Sequence, residues 1–253
     1  MHLDGQAAMV TGGGSGLGAA TAQRLARAGC RVAVLDINQS AAEASAQSIG
    51  GIGIVCDVAD AASAEQAVAK ARAAHGPARL LVNCAGIGTA GRIVGRDGPM
   101  PLAAFERVIR INLIGSFNLL RLAAADMATL DPLEEGERGV IVNTASIAAY
   151  EGQVGQAAYA ASKAGVVGLT LPAAREFSRV GVRVVTIAPG LFYTPMVEGL
   201  PPEIQRGLAE GIPFPQRLGE AEEFAALVEH IAVNRYLNGE TIRLDGALRM
   251  PPR

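Results

Sequence analysis

Tyr159 and Lys163 are two residues whose types and spacing allow them to do proton chemistry together. They lie four residues apart in an alanine-rich stretch that predicts a helix, so their side chains should share one helical face. A free tyrosine has a pKa near 10, which is too high for a base at neutral pH. Because a nearby ammonium favours the phenolate, we expect Lys163 to lower the pKa of Tyr159 and make it an acid/base group.

Ser146 follows a predicted buried strand over residues 140–145 and precedes Tyr159 by thirteen residues. We expect its hydroxyl to hydrogen-bond a substrate oxygen and to stabilise the charge that develops there. Asn112, on a long predicted helix, could complete a proton relay through water. A Tyr-x-x-x-Lys pair alone is usually structural, so a functional interpretation depends on a neighbouring site for a second reactant.

A glycine-rich segment supplies such a site directly after the first predicted strand. It reads Thr11-Gly12-Gly13-Gly14-Ser15-Gly16-Leu17-Gly18 and leads into a helix. Glycines permit a tight turn, and backbone N–H groups at a helix N-terminus bind phosphate. The spacing of Gly12, Gly16 and Gly18 does not fit the strict G-x-G-x-x-G fingerprint, so this segment alone is a moderate signal for a dinucleotide.

Asp36 ends the second predicted strand, where an acidic residue can accept a hydrogen bond from a ribose 2′-hydroxyl. A 2′-phosphate beside this carboxylate would be repelled, and neither Gly14 nor Ile37 supplies a cation to offset the repulsion. The sequence therefore favours NAD over NADP. With a nicotinamide as hydride carrier, Tyr159 would take the proton of an alcohol during oxidation, and Lys163 would also hold the nicotinamide ribose.

Two further strand ends carry residues expected at the same rim, where the adenine and its ribose would lie. Asp57 and Val58 close the third predicted strand, and Asn83-Cys84-Ala85-Gly86 closes the fourth. Each segment alone is a weak signal, because residues after a strand often only form a turn. Their matching positions in one sheet favour the cofactor interpretation.

The elements that must position these residues alternate between short β-rich runs and longer helical patterns. The seven predicted strands span residues 7–11, 31–36, 52–57, 80–83, 140–145, 182–187 and 241–244. The predicted covering helices span residues 17–28, 63–74, 105–128, 159–177 and 221–232. Repeated β-α-β units predict an α/β Rossmann fold, a doubly wound seven-stranded parallel sheet with helices on both faces. Residues 1–253 should form one domain, with ligands bound beyond the carboxyl ends of the strands.

Two segments interrupt this alternation, residues 89–101 and residues 191–217. Both carry glycine and proline, and both follow predicted strands. Long irregular segments in compact domains often serve as lids or binding loops. We therefore expect residues 191–217 to form a substrate loop.

Composition excludes several other classes of protein. The net charge is −2 with scattered Lys and Arg, so the chain lacks the basic stripe of a nucleic-acid-binding protein. The three histidines lie far apart, and we predict no metal site. Cys30, Cys56 and Cys84 fit reduced core residues, and no stretch has the roughly 18 to 20 apolar residues of a membrane span. With the first strand beginning near Ala7, we expect a cytosolic protein that binds neither nucleic acid nor membrane.

Taken together, these motifs resemble the short-chain dehydrogenase/reductase family over nearly the whole chain. The matching residues are Thr11-Gly12-x-x-x-Gly16-x-Gly18, Asn83 to Gly86, Asn112, Ser146, Tyr159-x-x-x-Lys163 and Pro189-Gly190. The resemblance implies an NAD-dependent oxidoreductase with Ser146, Tyr159, Lys163 and Asn112 as its catalytic residues. It implies cofactor contacts at Gly12, Ser15, Gly16, Leu17, Gly18, Asp36, Asp57, Val58, Cys84, Ala85, Gly86, Tyr159, Lys163, Pro189, Gly190, Phe192 and Thr194. It also implies substrate contacts at Ser146, Gln156 and Tyr159, and a homotetramer assembled through the helices predicted over residues 105–128 and 159–177.

Within the family, the chain is similar to the type 2 3-hydroxyacyl-CoA dehydrogenase branch, also described as multifunctional hydroxysteroid dehydrogenases. The stretches that carry this similarity are Asn143 to Ser146, Glu151 to Tyr159, Pro213 to Pro215, and Leu237 to Met250 with its neighbours. The alternatives are an NAD-dependent dehydrogenase for steroids or other secondary alcohols, a carrier-protein-linked ketoacyl reductase, and a non-catalytic nucleotide-binding scaffold. Asp36 argues against the reductase, which usually prefers NADPH, and the complete catalytic group argues against the scaffold.

Overall fold

The computed structural model describes residues 1–96, 98–199 and 201–252. Its centre is one parallel sheet of seven strands. They are β1 (Ala7–Thr11), β2 (Arg31–Asp36), β3 (Ile52–Val55), β4 (Leu80–Asn83), β5 (Gly139–Thr144), β6 (Val182–Pro189) and β7 (Thr241–Leu244). Their order across the sheet is β3-β2-β1-β4-β5-β6-β7. The predicted doubly wound parallel sheet is confirmed, and the strand order reverses between β1 and β4.

Two strand ends differ from the prediction by two residues, and the fifth strand, Gly139–Thr144, lies one residue earlier than predicted. The third strand was expected to reach Asp57 but ends at Val55, because the Asp57 backbone N–H donates to the Ser63 hydroxyl at 2.9 Å and its carboxylate accepts from the Ala59 backbone at 2.9 Å. The sixth strand continues to Pro189, two residues past its predicted end, since it pairs with β7 along this length. Both of these strands therefore end at a different residue than predicted at the carboxyl edge of the sheet.

Helices cover both faces of the sheet. They are α1 (Gly16–Arg27), α2 (Gln39–Ser48), α3 (Ala61–His75), α4 (Leu102–Ile109), α5 (Gly115–Ala128), α6 (Ala157–Phe177), α7 (Pro195–Glu198), α8 (Pro202–Glu210) and α9 (Ala221–Val233). The segment predicted as one long helix over residues 105–128 is interrupted by a π-helical turn, Arg110–Ile114, between α4 and α5. Short 3-10 turns occur at Glu134–Gly136, Ile147–Ala149 and Ser178–Val180.

The core consists of two apolar layers, one on each face of the sheet. Alternate strand residues such as Met9 and Leu35 pack with α3, α5 and the end of α6 on one face. Their neighbours, such as Val10 and Val34, pack with α1, α2 and α9 on the other face. A sheet buried on both faces explains the near-continuous apolar character of the strands.

The stretch Leu102–Ala128 has the length and apolar character of a membrane-spanning helix, although no such helix was predicted from the sequence. The stretch is 27 residues long and contains an 18-residue window with a mean hydropathy of 1.3, so it is long and apolar enough to cross a bilayer. Half of that window is buried inside the fold, where α5 residues such as Leu119 and Leu120 pack against the sheet. Its apolar character therefore fits a core helix.

The two irregular segments contain short structure of their own. Residues 89–101 include a two-residue antiparallel pair, Val94–Gly95 with Gly98–Pro99. Residues 191–217 contain α7 and α8, and Phe192–Tyr193 pairs in parallel with Gly219–Glu220. Asp97 of the first segment and Leu200 of the second lie outside the described residues.

Candidate active site

A cavity of about 890 Å³ opens at the carboxyl edge of the sheet, across the point where the strand order reverses. It is the place where open α/β sheets bind ligands. Every predicted site residue except Asn112 lines this cavity. The structure therefore brings together residues that are up to 182 positions apart, from Gly12 to Thr194.

The glycine-rich segment forms one wall. Gly12 has a φ of +61°, and a Cβ there would lie 2.8 Å from the backbone nitrogen of Ala85. A Cβ at Gly18 would overlap the carbonyl oxygen of Gly12. Ser15 precedes α1 without a side-chain cap among the described residues, so the first-turn N–H groups of α1 face the cavity uncapped. This wall fits a phosphate or pyrophosphate group.

Asp36 lies on the same rim with its carboxylate fixed by two backbone groups. One oxygen accepts from the Gly14 N–H at 3.0 Å and the other from the Asn38 N–H at 3.0 Å. A Cβ at Gly14 would lie 2.9 Å from that carboxylate and 2.8 Å from the Ala41 Cβ, so a larger residue there would have to displace one of them. The exposed side chain of Ile37 lines the adjacent wall and brings no positive charge.

The loop after β4 is tied to the loop after β1 by Thr11. The Thr11 hydroxyl accepts from the backbone N–H groups of Cys84 and Ala85, each at 3.2 Å. Burial raises the pKa of the Cys84 thiol to about 11, so this side chain lines the cavity as a neutral group. Thr11 was not predicted as a site residue, although it opens the glycine-rich motif.

Ser146, Tyr159 and Lys163 meet at the other end of the cavity. Ser146 follows β5 and caps the turn Ile147–Ala149 by accepting from the Ala148 N–H at 3.1 Å. Tyr159 and Lys163 share a face of α6, with the Lys163 Nζ 5.8 Å from the tyrosine ring centroid. The Lys163 ammonium donates to the Thr144 carbonyl oxygen at 2.8 Å.

The expectation that the pKa of Tyr159 lies below its ordinary value is wrong for the folded chain. Burial raises the pKa of Tyr159, and a hydrogen bond with the Ser146 hydroxyl opposes that rise only in part. Burial also lowers the pKa of Lys163 to about 8. Both shifts have one physical cause, because removing water from either side chain disfavours its charged form.

Asn112 is the predicted residue that does not line the cavity. It is fully buried in the π-helical turn, and its side-chain oxygen accepts from the Ile87 N–H at 2.8 Å. Its side-chain nitrogen donates to the Ile87 carbonyl at 3.0 Å and to the Ser162 hydroxyl at 3.0 Å. The side chain therefore joins the loop after β4 to α6 next to Lys163. Its role in a proton relay stays a prediction.

Apolar side chains surround the catalytic end of the cavity. The segment 191–217 contributes the apolar side chains of Leu191, Phe192 and Val197. The polar residues Gln156, which precedes α6, and Thr194 line the same end of the cavity. Arg107 and Met250 also line the cavity but were not predicted. Neither belongs to a motif with a recognisable spacing, so only the fold brings them to the site.

Metal chemistry has no candidate site in the part of the chain that the structure describes. No group of three His, Cys, Asp or Glu side chains there lies close enough together to hold a metal ion. The acidic residues of the cavity are engaged by backbone N–H groups instead.

Comparison with known proteins relates this geometry to a family. The sequence profile of the family described as "short chain dehydrogenase" matches residues 6–205. The human protein named 3-hydroxyacyl-CoA dehydrogenase type-2 is 48% identical over 99% of this chain and 97% of its own. Its namesake from Drosophila melanogaster is 50% identical over 96% of this chain and 97% of its own. The crystal structure of 3-hydroxyacyl-CoA dehydrogenase type-2 from Mycobacterium avium has a TM-score of 0.95 and 45% identity, covering 98% of both chains.

Proposed function

This chain is an oxidoreductase of the short-chain dehydrogenase family, and we propose that it uses NAD to oxidise 3-hydroxyacyl-CoA to 3-oxoacyl-CoA and catalyses the reverse reduction. The observation that carries the proposal is the presence of Ser146, Tyr159 and Lys163 in the same cavity as the glycine-rich wall. An alcohol carbon held near these side chains would be within reach of a cofactor bound along that wall.

The residues of the cavity fit a nicotinamide dinucleotide. The first-turn N–H groups of α1 would bind the pyrophosphate, and Asp36 would accept hydrogen bonds from a ribose. The Asp36 carboxylate and the uncharged Ile37 disfavour a 2′-phosphate, which supports NAD over NADP. Bound NAD supplies a nicotinamide ring that accepts a hydride in oxidation and, once reduced, returns it.

Tyr159 transfers a proton to or from the oxygen of the reacting ketone or alcohol, and Ser146 stabilises the charge on that oxygen. In reduction, the Tyr159 hydroxyl gives its proton to the carbonyl oxygen of the substrate as the hydride arrives at the carbon. The Ser146 hydroxyl donates a hydrogen bond to the same oxygen and stabilises its developing charge. In oxidation the Tyr159 phenolate removes the alcohol proton while the carbon loses its hydride.

The raised pKa of Tyr159 gives the two directions different pH dependences. At neutral pH the phenol keeps its proton, which is the form that reduction needs. Oxidation needs the phenolate and should become faster as the pH rises. The ammonium of Lys163 assists oxidation as long as it stays protonated, which its pKa of about 8 allows at neutral pH.

The acyl-CoA substrate is supported by the named relatives, which match nearly the whole chain at close to half identity. The apolar walls of the catalytic end, including Ile147, Leu191 and Val197, fit an aliphatic acyl group. The same walls would accept a steroid or another hydrophobic secondary alcohol. A dehydrogenase for such alcohols is therefore the second candidate.

The test is steady-state reduction of acetoacetyl-CoA with NADH and with NADPH, in the wild type, in Tyr159→Phe and in Tyr150→Phe. Tyr150 is a matched control because it lies outside the cavity, exposed, with its ring 5.4 Å from the Arg243 guanidinium. We expect NADH-dependent turnover that Tyr159→Phe abolishes and Tyr150→Phe keeps. No turnover with NADH bound would refute the acyl-CoA substrate and direct the search to steroids and alcohols. A preference for NADPH would refute the role of Asp36.

We also propose that the protein is a homotetramer in a reducing compartment, the cytosol. Helix α5 and the turn before it expose Phe117 and Ile114, and α6 exposes Leu171, which supports burial of these helices between subunits. Three unpaired cysteines support the reducing compartment. Light scattering should give the mass of four chains of 25.9 kDa. A single-chain mass would refute the assembly.

A further inference from the structure

Met250 is a cavity residue that belongs to no catalytic or cofactor motif. It lines the same cavity as Ser146 and Tyr159, although it is 91 residues beyond Tyr159 in sequence. Its side chain packs against the buried apolar cluster formed by Ile147, Ile212, Leu218 and Leu248. Ile147 directly follows Ser146 and also lines the cavity, so Met250 and the residue after the catalytic serine belong to the same apolar part of the wall.

The position of Met250 in the fold separates it from the cofactor wall. Met250 follows β7, which is one edge of the sheet, whereas Asp36 ends β2 near the opposite edge. Its apolar neighbours come from the segment 191–217 and from the turn after Ser146. Met250 therefore bounds the substrate half of the cavity.

Glu151 fixes the backbone of this residue. One of its carboxylate oxygens accepts from the Met250 N–H at 3.0 Å and from an Arg243 Nη at 3.2 Å. The other accepts from the second Arg243 Nη at 2.7 Å. Arg243 also donates to Asp245 at 2.7 Å through its Nε, so its guanidinium is held from two sides. Bidentate pairing of this kind restricts geometry as well as adding stability.

The ion pairs are shielded from water more than most surface pairs. The side chains of Glu151 and Arg243 are 21% and 23% exposed, and that of Asp245 is 7% exposed. The Arg243 guanidinium holds the pKa of Glu151 below its usual range. Glu151 therefore stays charged at neutral pH and keeps its hydrogen bond with the Met250 N–H.

Two further hydrogen bonds join the chain after Met250 to the loop that enters α6. The Gln153 side chain donates to the Pro251 carbonyl at 3.0 Å, and the Val154 N–H donates to the Pro252 carbonyl at 3.0 Å. The same loop ends at Gln156, which lines the cavity. Glu151, Gln153 and Val154 thus bind one short segment, residues 250–252, across the substrate side.

We propose that Met250 is a specificity-determining residue that limits the length of the aliphatic group accepted beside Ser146, and that Glu151 is the positioning residue that holds it there. This inference rests on the proposed function for its substrate class, the 3-oxoacyl and 3-hydroxyacyl thioesters. A methionine suits the position because its unbranched side chain adapts to an aliphatic surface. Shortening it opens space in the cavity beside the cluster that contains Ile147.

The test compares kcat/KM for straight-chain 3-oxoacyl-CoA thioesters of short, medium and long chain, with NADH as reductant. Met250→Ala should raise the long-to-short ratio of kcat/KM by about tenfold, since each methylene admitted to an apolar pocket changes discrimination by such a factor. Met250→Leu keeps the volume and should keep the wild-type ratio. The KM for NADH should stay within about twofold, because Met250 is remote from the cofactor wall.

Glu151→Gln tests the positioning role and has a matched control. It keeps the shape of the side chain, removes its charge, and should raise the long-to-short ratio in the same direction as Met250→Ala. Glu65→Gln breaks a comparable pair with Arg121, 3.1 Å long and on the surface of α3, and should leave the ratio unchanged. A role confined to stability would lower the unfolding midpoint of Glu151→Gln without changing the ratio.

The outcomes separate this inference from the proposed function. An unchanged ratio in Met250→Ala overturns the inference even if all thioesters are reduced. If the wild type reduces no thioester, the proposed substrate is wrong, and the ratio is measured on straight-chain methyl ketones run in parallel. An unchanged ratio on those ketones, or no reduction of them, overturns the inference as well.

Discussion

Replacing Lys163 by methionine should abolish activity without the loss of stability that usually follows deletion of a buried side chain. Lys163 is 5% exposed, and burial lowers its pKa from 10.5 to about 8. That difference corresponds to about 3 kcal/mol by which folding disfavours the charged amine. Loss of the hydrogen bond to the Thr144 carbonyl opposes the gain by about 1 to 3 kcal/mol. At pH 7 we expect Lys163→Met to be as stable as the wild type or up to about 2 kcal/mol more stable.

The sign of the pH dependence follows from the lower pKa in the folded state. Below about pH 8 the amine is charged in both states, and the folded wild type carries the full penalty. As the pH rises from about 8 toward 10.5, the folded chain loses this proton first and the penalty disappears. The wild type should therefore gain about 3 kcal/mol relative to Lys163→Met across this window.

Urea unfolding of both proteins at neutral and at alkaline pH measures this difference. Groups that do not interact with Lys163 contribute equally to both proteins, and Cys84, which does interact with it, has a pKa of about 11, above this window. Lys70→Met is the control, because Lys70 is the only other lysine and lies exposed on α3. A stability difference between the wild type and Lys163→Met that stays constant with pH would refute the argument from burial.

The other predictions concern the cofactor wall. Asp36→Ala should weaken NADH binding by about tenfold or more, because a charged hydrogen bond is lost. Adding Ile37→Arg to this variant should then favour NADPH over NADH. An unchanged ratio of kcat/KM for NADH and NADPH in steady-state kinetics would contradict this. Gly18→Ala should weaken NADH binding measured by fluorescence, since its Cβ would overlap the Gly12 carbonyl. Gly168→Ala, where a Cβ meets no described atom within 4 Å, should keep binding and stabilise α6 by about 0.5 to 1 kcal/mol. Because its pKa is about 11, Cys84 should react with iodoacetamide about a hundredfold more slowly than free cysteine at neutral pH. Its reaction should become faster as the pH rises. Rapid labelling at neutral pH would count against a buried thiol.

Most of the fold could be predicted because its strands are apolar runs with clear boundaries. Helix α2 was missed because Ala42 and Ala46 are its only buried residues within Gln39–Ser48, so it lacks a stripe of large apolar side chains. The π-helical turn Arg110–Ile114 was also missed, since hydrophobic periodicity does not reveal one extra residue in a helix. This turn bears Asn112, whose side chain bonds to Ile87 and Ser162.

The site was predictable where a motif has a fixed spacing and unpredictable where burial or long-range packing decides. The four-residue spacing correctly gave Tyr159 and Lys163 a common helical face. It could not give the pKa of Tyr159, because the desolvation that raises it depends on what covers the side chain in the folded chain. Met250 reaches the cavity only through the return of the chain after β7, which no local pattern signals.

The most direct test of the central claim is to follow the hydrogen on the reacting carbon. A 3-hydroxybutanoyl-CoA carrying deuterium at its third carbon should be oxidised with NAD, and the label should be recovered on the reduced nicotinamide, one atom for each ketone formed. Tyr159→Phe should transfer none while still binding NADH. Deuterium released to water, or ketone formed without reduced nicotinamide, would contradict hydride transfer by this site.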